Sequence, residues 1–359
     1  MARQSLAARL YRGEVSVDFV GRRKTWYALS GLIIIVALAG LLTKGLNLGL
    51  DFKGGSQFQV KTIATIEQGR AAAQEAGIPE AVVTKVGNDR MQWRAGNITT
   101  DEIANVVQVL SKTFNVAEQD IATESVGPTW GKEITNKAAQ GLIVFLVLVG
   151  LFLSLYFQWQ MAVAALVALA HDVLITVGIY ALSGFEVTPA TVIGVLTILG
   201  FSLYDTVVVF DKVRENTVGI TSQSRQTYSE AANLALNQTL VRSINTSVVA
   251  LLPVASILVI GVGFLGAGTL KDLALALFIG TLAGTYSSIF VATPFLAQIR
   301  EGDPAMVALA KRVAARRANR DAEPAAALDK GTTVTAEGVP VRQVGGRQQP
   351  KRNTPRRKR

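Results

Sequence analysis

Cysteine is absent from this 359-residue chain. That excludes a disulfide framework and any thiolate metal site. There is one histidine, His171, so a histidine-based metal centre is not expected either. No phosphate-loop lysine pattern occurs, which argues against a built-in ATPase. Charge is also scarce: only 17% of residues are Asp, Glu, Lys or Arg, while 50% are hydrophobic. A soluble protein of this length would scatter its apolar residues in short periodic runs. Here they gather in long blocks, and the mean hydropathy is +0.34, so the class is a membrane protein. The net charge of +10 resembles a nucleic-acid signal until it is located. From Ile299 to Arg359 there are fifteen Lys or Arg against six Asp or Glu, so most of the surplus belongs to a tail.

A spanning helix needs roughly twenty apolar residues to cross a hydrocarbon core about 30 Å thick. Six blocks qualify: Trp26–Thr43, Ala138–Phe157, Met161–Leu182, Thr188–Phe210, Thr246–Leu265 and Asp272–Phe295. Arg22, Arg23 and Lys24 precede the first, which favours a cytoplasmic N-terminus, and six crossings return the C-terminus to the same side. The loop 211–245, on the inner side in this orientation, carries Lys212, Arg214, Arg225 and Arg242, whereas the short outer connections carry only Lys271. The first block, with Ala37-Leu38-Ala39, also has features of a cleavable signal peptide, but its apolar run continues through Leu41 and Leu42. It is read as an uncleaved signal-anchor. The expected organisation is a cytoplasmic N-terminus (1–25), helix one (26–43), an extracytoplasmic domain (44–137), a five-helix bundle (138–296) and a basic, largely disordered cytoplasmic tail (297–359).

The outer segment alternates helix and strand signals. Ser56–Thr62 has the period of two of a half-buried strand, and Thr65–Gly77 reads as a helix closed by a glycine. Val82–Val86 and Met91–Arg94 flank the turn-rich GNDR. Thr99 or Thr100 caps a second helix whose inner side is Ile103, Val106, Val107, Leu110 and Phe114, and Ile121–Val126 supplies a last strand. That order is the ferredoxin-like α+β pattern. Nothing in it suggests an enzyme site, and the chain is not expected to be an enzyme.

Several motifs, in order and at consistent spacing, carry a family resemblance. They are DFKGG at Asp51–Gly55, VGP at Val126–Pro128, HDVLIT at His171–Thr176, DTVVVFDKVREN at Asp205–Asn216, SINTS at Ser243–Ser247 and GTYSSIF at Gly284–Phe290. Over residues 1–300 the chain resembles the SecF side of the SecD/SecF family of bacterial protein-export membrane subunits. The resemblance implies an RND-superfamily fold, in which SecD and SecF each supply one six-span half. It implies a place in the bacterial cytoplasmic membrane and a proton-driven role in late preprotein translocation on the outer side. No cofactor is implied, protons being the coupling ion. The implied partners are SecD as a separate chain, the Sec channel (SecY, SecE, SecG), YajC and unfolded preproteins.

Asp205 interrupts an apolar run, and an acid at the centre of a spanning helix costs roughly 2.5–3.5 kcal/mol on insertion scales. Burial raises a carboxyl pKa and a nearby cation lowers it, so a residue balanced between the two can load and release a proton. Arg242, at the start of span five, is the cation expected beside it, and the resemblance points to these two positions as the proton-path pair. Ser202 and Thr206 lie within reach on the same helix. The competing reading is a salt bridge that staples spans four and five. Asp211, with Lys212, Arg214 and Glu215, is read as an interfacial ion cluster that also lies where protons would leave. For His171 and Asp172 two readings stay open, a helix-packing polar network and a secondary proton path.

Asp51, Gly54 and Gly55 form a hinge that couples bundle and outer domain. Gly280 and Gly284, continued at four-residue steps by Ser288 and Ala292, form a packing stripe on span six. Gly261–Gly266 matches GxGxxG, but it follows no strand and is not a nucleotide site. The tail ends PKRNTPRRKR, suited to anionic lipid headgroups and to non-specific RNA contact, with no specific nucleic acid expected. Two rival functions remain: a non-transporting scaffold that stabilises SecD or the channel, and half of a different RND-type proton-driven exporter.

Overall fold

The computed structural model describes residues 16–86, 89–264 and 270–329. Gly266 of the GxGxxG match, Gly87 and Asn88 of the GNDR turn, and the basic tail beyond Asp329 lie outside the described residues. Helix α1 (Arg23–Lys44) leads to the two-residue strand β1 (Asn47–Leu48) and the short helix α2 (Leu50–Lys53). Strand β2 (Gly55–Lys61), helix α3 (Ile66–Glu75), strands β3 (Val82–Val86) and β4 (Arg90–Ala95), helix α4 (Thr100–Phe114) and strand β5 (Ala122–Val126) follow. The four longer strands make one antiparallel sheet in the order β3-β4-β2-β5. Each β–α–β unit therefore has another strand between its two parallel members, as a split β–α–β arrangement requires.

Register decides the core of this layer. Phe58 pairs with Trp93 and Val60 with Met91, and all four side chains are fully buried. Val106 and Leu110 of α4 close the same core, and the Trp93 indole Nε1 donates to the Gly69 carbonyl at 2.8 Å. Both helices begin on reciprocal capping boxes, Thr65 with Gln68 and Thr99 with Glu102, which satisfy amide groups left unpaired at a helix start. The Glu102 carboxyl is held below its ordinary range by hydrogen bonds from the Thr99 amide and hydroxyl.

Long helices follow: α5 (Pro128–Tyr156), α6 (Trp159–Ser183), strand β6 (Glu186–Val187), α7 (Pro189–Thr217), α8 (Tyr228–Ser256) with a π-helical continuation at Ile257–Phe264, and α9 (Lys271–Ser287). A second π-helical segment, Ser288–Ala292, joins α9 to α10 (Thr293–Glu301). Among the described residues, six helical segments are long and apolar enough to cross a membrane. The second starts at Pro128, well before the apolar block at Ala138, because Pro128 at the first turn and the polar residues after it simply extend the helix outwards. The first π segment follows Pro253, which has no amide to donate and disturbs the ordinary hydrogen-bond ladder.

Gly54 and Gly55 have φ of +73° and +121°, conformations that a Cβ makes costly, so the chain turns from α2 into β2 only because both are glycine. The outer layer is also joined to the bundle: β1 pairs in parallel with β6, and the Gly49 amide donates to the Val187 carbonyl at 2.8 Å. Arg94 of β4 reaches Glu186 of β6 at 2.9 Å. At the other end, the extended residues before α1 bind α8: the Val17 amide donates to Asn237 Oδ1 at 2.7 Å and the Phe19 amide to Asn233 Oδ1 at 2.8 Å.

A second compact unit comprises 219–228 and the described residues 302–329. In it, helix α11 (Pro304–Asp329) buries Leu309 and Val313, and Arg312 donates to the Thr221 carbonyl at 2.7 Å.

Candidate functional site

Helix α7 starts on the Thr188–Thr191 capping box with Pro189 in its first turn, which fixes where it begins and hence which face turns inwards. Along that face small residues let α7 and α9 approach closely. A Cβ on Gly194 would lie 2.8 Å from that of Ala276, and one on Gly284 would lie 2.8 Å from that of Ser202. Between these, Gly280 abuts Ile198. The contacts advance by four residues on both helices, an i±4 ridge on each. The next step places Ser288 against Asp205: the Ser288 hydroxyl donates to Asp205 Oδ2 at 2.6 Å. Asp205 is 3% exposed, and Ser288 opens the second π segment.

One turn up α7, the Ser202 hydroxyl donates to Asp172 Oδ2 of α6 at 2.5 Å. Asp172 Oδ1 lies 3.3 Å from His171 Nδ1, and both residues are buried. The imidazole stacks on Tyr286, with ring centroids 5.8 Å apart, while its Nε2 is buried without a hydrogen-bond partner. The Tyr286 hydroxyl is 2.9 Å from Ser30 Oγ of α1. Thr206 is buried beside Asp205, and Thr285 of α9 donates to Ser247 of α8 at 2.7 Å. The bundle interior therefore carries two carboxyls, each holding one serine hydroxyl. Among the described residues, neither Asp205 nor Asp172 forms an ion pair with a lysine or arginine.

The expected pairing of Asp205 with Arg242 does not form. Arg242 is exposed, and its guanidinium reaches the Tyr204 hydroxyl at 3.5 Å. Asp205 faces α9, whereas its neighbour Tyr204, 51% exposed, points away from that contact. The reason is packing: the glycines of α9 draw span six, not span five, against the acid-bearing face. The signal for Ser288 was in the sequence, because it continues the Gly280–Gly284 stripe at the same interval. Asp211 is exposed at the end of α7; beside it Lys212 pairs with Glu215 at 2.7 Å, and Arg214 lies over the Tyr156 ring at 5.9 Å. Asp51 sits in the first turn of α2, next to the Gly54–Gly55 turn. Burial lifts the Glu186 carboxyl above its ordinary range, outweighing the opposing pull of Arg94. Among the described residues no cluster of three His, Asp or Glu is arranged to hold a metal ion.

Six apolar helices, an antiparallel α+β layer inserted after the first, and uncharged hydroxyl donors on buried carboxyls define a polytopic membrane protein with ionisable groups inside its bundle. Residues 106–302 match the family profile described as protein export membrane protein SecD/SecF, C-terminal, and residues 39–62 match the SecD/SecF GG motif, which includes Gly54 and Gly55. The chain belongs to the SecD/SecF family. It is 53% identical over 316 residues to a protein translocase subunit SecF of Streptomyces coelicolor, covering 88% of this chain and 85% of that one. With a protein translocase subunit SecF of Mycobacterium tuberculosis the identity is 42% over 352 residues, covering 92% and 77%. The crystal structure of SecDF, a translocon-associated membrane protein from Thermus thermophilus, superposes with a TM-score of 0.72 at 31% identity. That match covers 82% of this chain and 41% of the SecDF chain.

Proposed function

We propose that this chain is the SecF subunit of a Sec protein-export machinery, using proton movement through its bundle to assist preproteins on the outer side of the cytoplasmic membrane. The relatives named SecF support the export role, and the SecDF chain, more than twice as long as the matched part, supports a SecD partner supplying the other half. The channel proteins SecY, SecE and SecG, YajC and unfolded preproteins are proposed as further partners, with anionic lipid at the basic tail. The basic residues Arg22, Arg23 and Lys24 at the start of α1 support cytoplasmic termini.

The observation that carries the reading is Asp205: a carboxyl 3% exposed within an apolar helix, held by a serine hydroxyl and not by a cation. A permanent counter-ion would fix it as a carboxylate, whereas a hydroxyl serves either protonation state, donating to the carboxylate or accepting from the acid. The competing reading of Asp205, a salt bridge to Arg242 that staples spans four and five, finds no support among the described residues.

Secretion kinetics of Asp205→Asn cells, with immunoblots for this chain and SecD, test the reading. Slowed export at normal abundance of both is the expected outcome. Normal export, or a loss explained by disappearance of the complex, would return Asp205 to a structural role.

A further inference from the structure

Asp205 leaves a second buried acid unexplained. Asp172 is 1% exposed on the neighbouring helix, and the donors on it are Ser202 Oγ at 2.5 Å and, at 3.3 Å, His171 Nδ1. A carboxylate kept so far from water ordinarily has a cation or several donors. With Nδ1–H directed at Asp172, the other ring nitrogen of His171 keeps a lone pair, and that atom is buried with no hydrogen-bond partner among the described residues. A purely structural His–Asp pair would have both ends satisfied. Here the cluster has spare acceptor capacity at Nε2 and at the carboxyl.

The two acids are linked by one helix face. Ser202 and Asp205 are three residues apart on α7, a spacing that puts them side by side. A serine hydroxyl has one hydrogen to donate and can accept from another group. While Asp172 is ionised, that hydrogen is committed to Asp172. Once a proton adds to Asp172, the new acid O–H donates to Ser202 Oγ, and the serine hydrogen is free to turn towards Asp205. The proton count balances: one proton enters the pair and one hydrogen-bond direction reverses. Gly284, with no side chain, leaves Ser202 room for that rotation, whereas a Cβ there would lie 3.0 Å from its oxygen.

We propose that Asp172, with His171, is a second proton-binding station in series with Asp205, and that Ser202 is the positioning residue that makes the state of one felt by the other. This rests on the reading of Asp205 as a proton carrier. On the helices packed against α6, Tyr286 stacks on the imidazole, and Asp205 lies on α7 three residues beyond Ser202. The basic residues Arg23, Lys24 and Lys44 of α1, Lys132 and Lys137 of α5, and Arg300 of α10 lie towards helix ends.

The test is pH-jump infrared difference spectroscopy of the purified full-length chain in lipid vesicles, reading the carbonyl stretch of protonated carboxyls. Two bands are expected. Asp205→Asn should remove one, Asp172→Asn the other, and Ser202→Ala should shift the Asp172 band to higher frequency by removing its hydrogen-bond partner. His171→Gln should move the same band and leave the Asp205 band in place. If Asp172→Asn leaves the spectrum unchanged while the Asp205 band is present, or Ser202→Ala shifts nothing, the second station is overturned and the Asp205 reading stands. A spectrum in which Asp205→Asn removes no band overturns the carrier reading itself. Should Asp172→Asn abolish both bands by unfolding the bundle, the Ser202→Ala shift decides alone.

Discussion

At the scale of single residues, the protein solves the problem of a buried acid with a hydroxyl. Ser288 is the donor on Asp205, so Ser288→Ala leaves a buried acceptor without its partner, a loss of about 1–3 kcal/mol. Thermal unfolding of the purified variant in detergent should show a lowered midpoint, and export should slow at equal abundance. Ser288→Thr, which keeps the hydroxyl, should restore most of both. A variant as stable and as active as the parent would mean that the Asp205–Ser288 bond is incidental. The acid itself was legible in the sequence, because a charge inside an apolar run has few innocent explanations. Its partner Ser288 was legible only as the continuation of the Gly280–Gly284 packing stripe. Reasoning from charge favours Arg242, the cation in range by sequence, but contact inside a bundle is decided by which helix backbone can come closest, and glycines decide that.

At the scale of elements, the α7–α9 contact is set by Gly194 of α7 and by Gly280 and Gly284, four residues apart on α9. Gly284→Ala would push a methyl to 2.8 Å from Ser202 Cβ and 3.0 Å from its Oγ, and should cost about 1–3 kcal/mol. It should lower the unfolding midpoint and disturb Ser202 and Asp205 together. Gly200 of α7, whose Cβ would meet nothing within 4 Å, is the control, and Gly200→Ala should be near neutral. Equal stability of the two variants would mean that close packing is not what positions the acid. The outer layer was far more readable than the bundle. Alternation at Phe58 and Val60, the Thr65 and Thr99 caps and the apolar stripe of α4 are local signals written in one face of each element. The two π segments left no comparable trace, since neither Ile257–Phe264 nor Ser288–Ala292 differs in pattern from an ordinary spanning helix.

At the scale of the whole chain, the outer layer and the bundle meet where β1 pairs with β6 and Arg94 pairs with Glu186, directly before the helix that carries Asp205. Motion of the outer layer therefore has a direct route to α7. The Glu186 carboxyl is raised above its ordinary range by burial, so the sign is fixed: its neutral form is favoured in the joined state. Its contribution is fully present below the ordinary carboxyl pKa and lost as pH rises through the raised value. The junction should thus be tighter in acid, and Glu186→Gln should flatten that dependence. Hydrogen exchange at the Gly49 amide, read as a function of outer pH, checks this; protection that falls on acidification would reverse the sign and refute it.

The central claim is that Asp205 takes up and releases protons during the working cycle. Its most direct measurement is proton uptake into vesicles that contain this chain with its SecD partner, under an imposed membrane potential and monitored by an internal pH dye. Uptake is expected for the parent, with loss in Asp205→Asn at equal reconstitution and recovery of a substantial part in Asp205→Glu. Uptake by Asp205→Asn equal to that of the parent would contradict it.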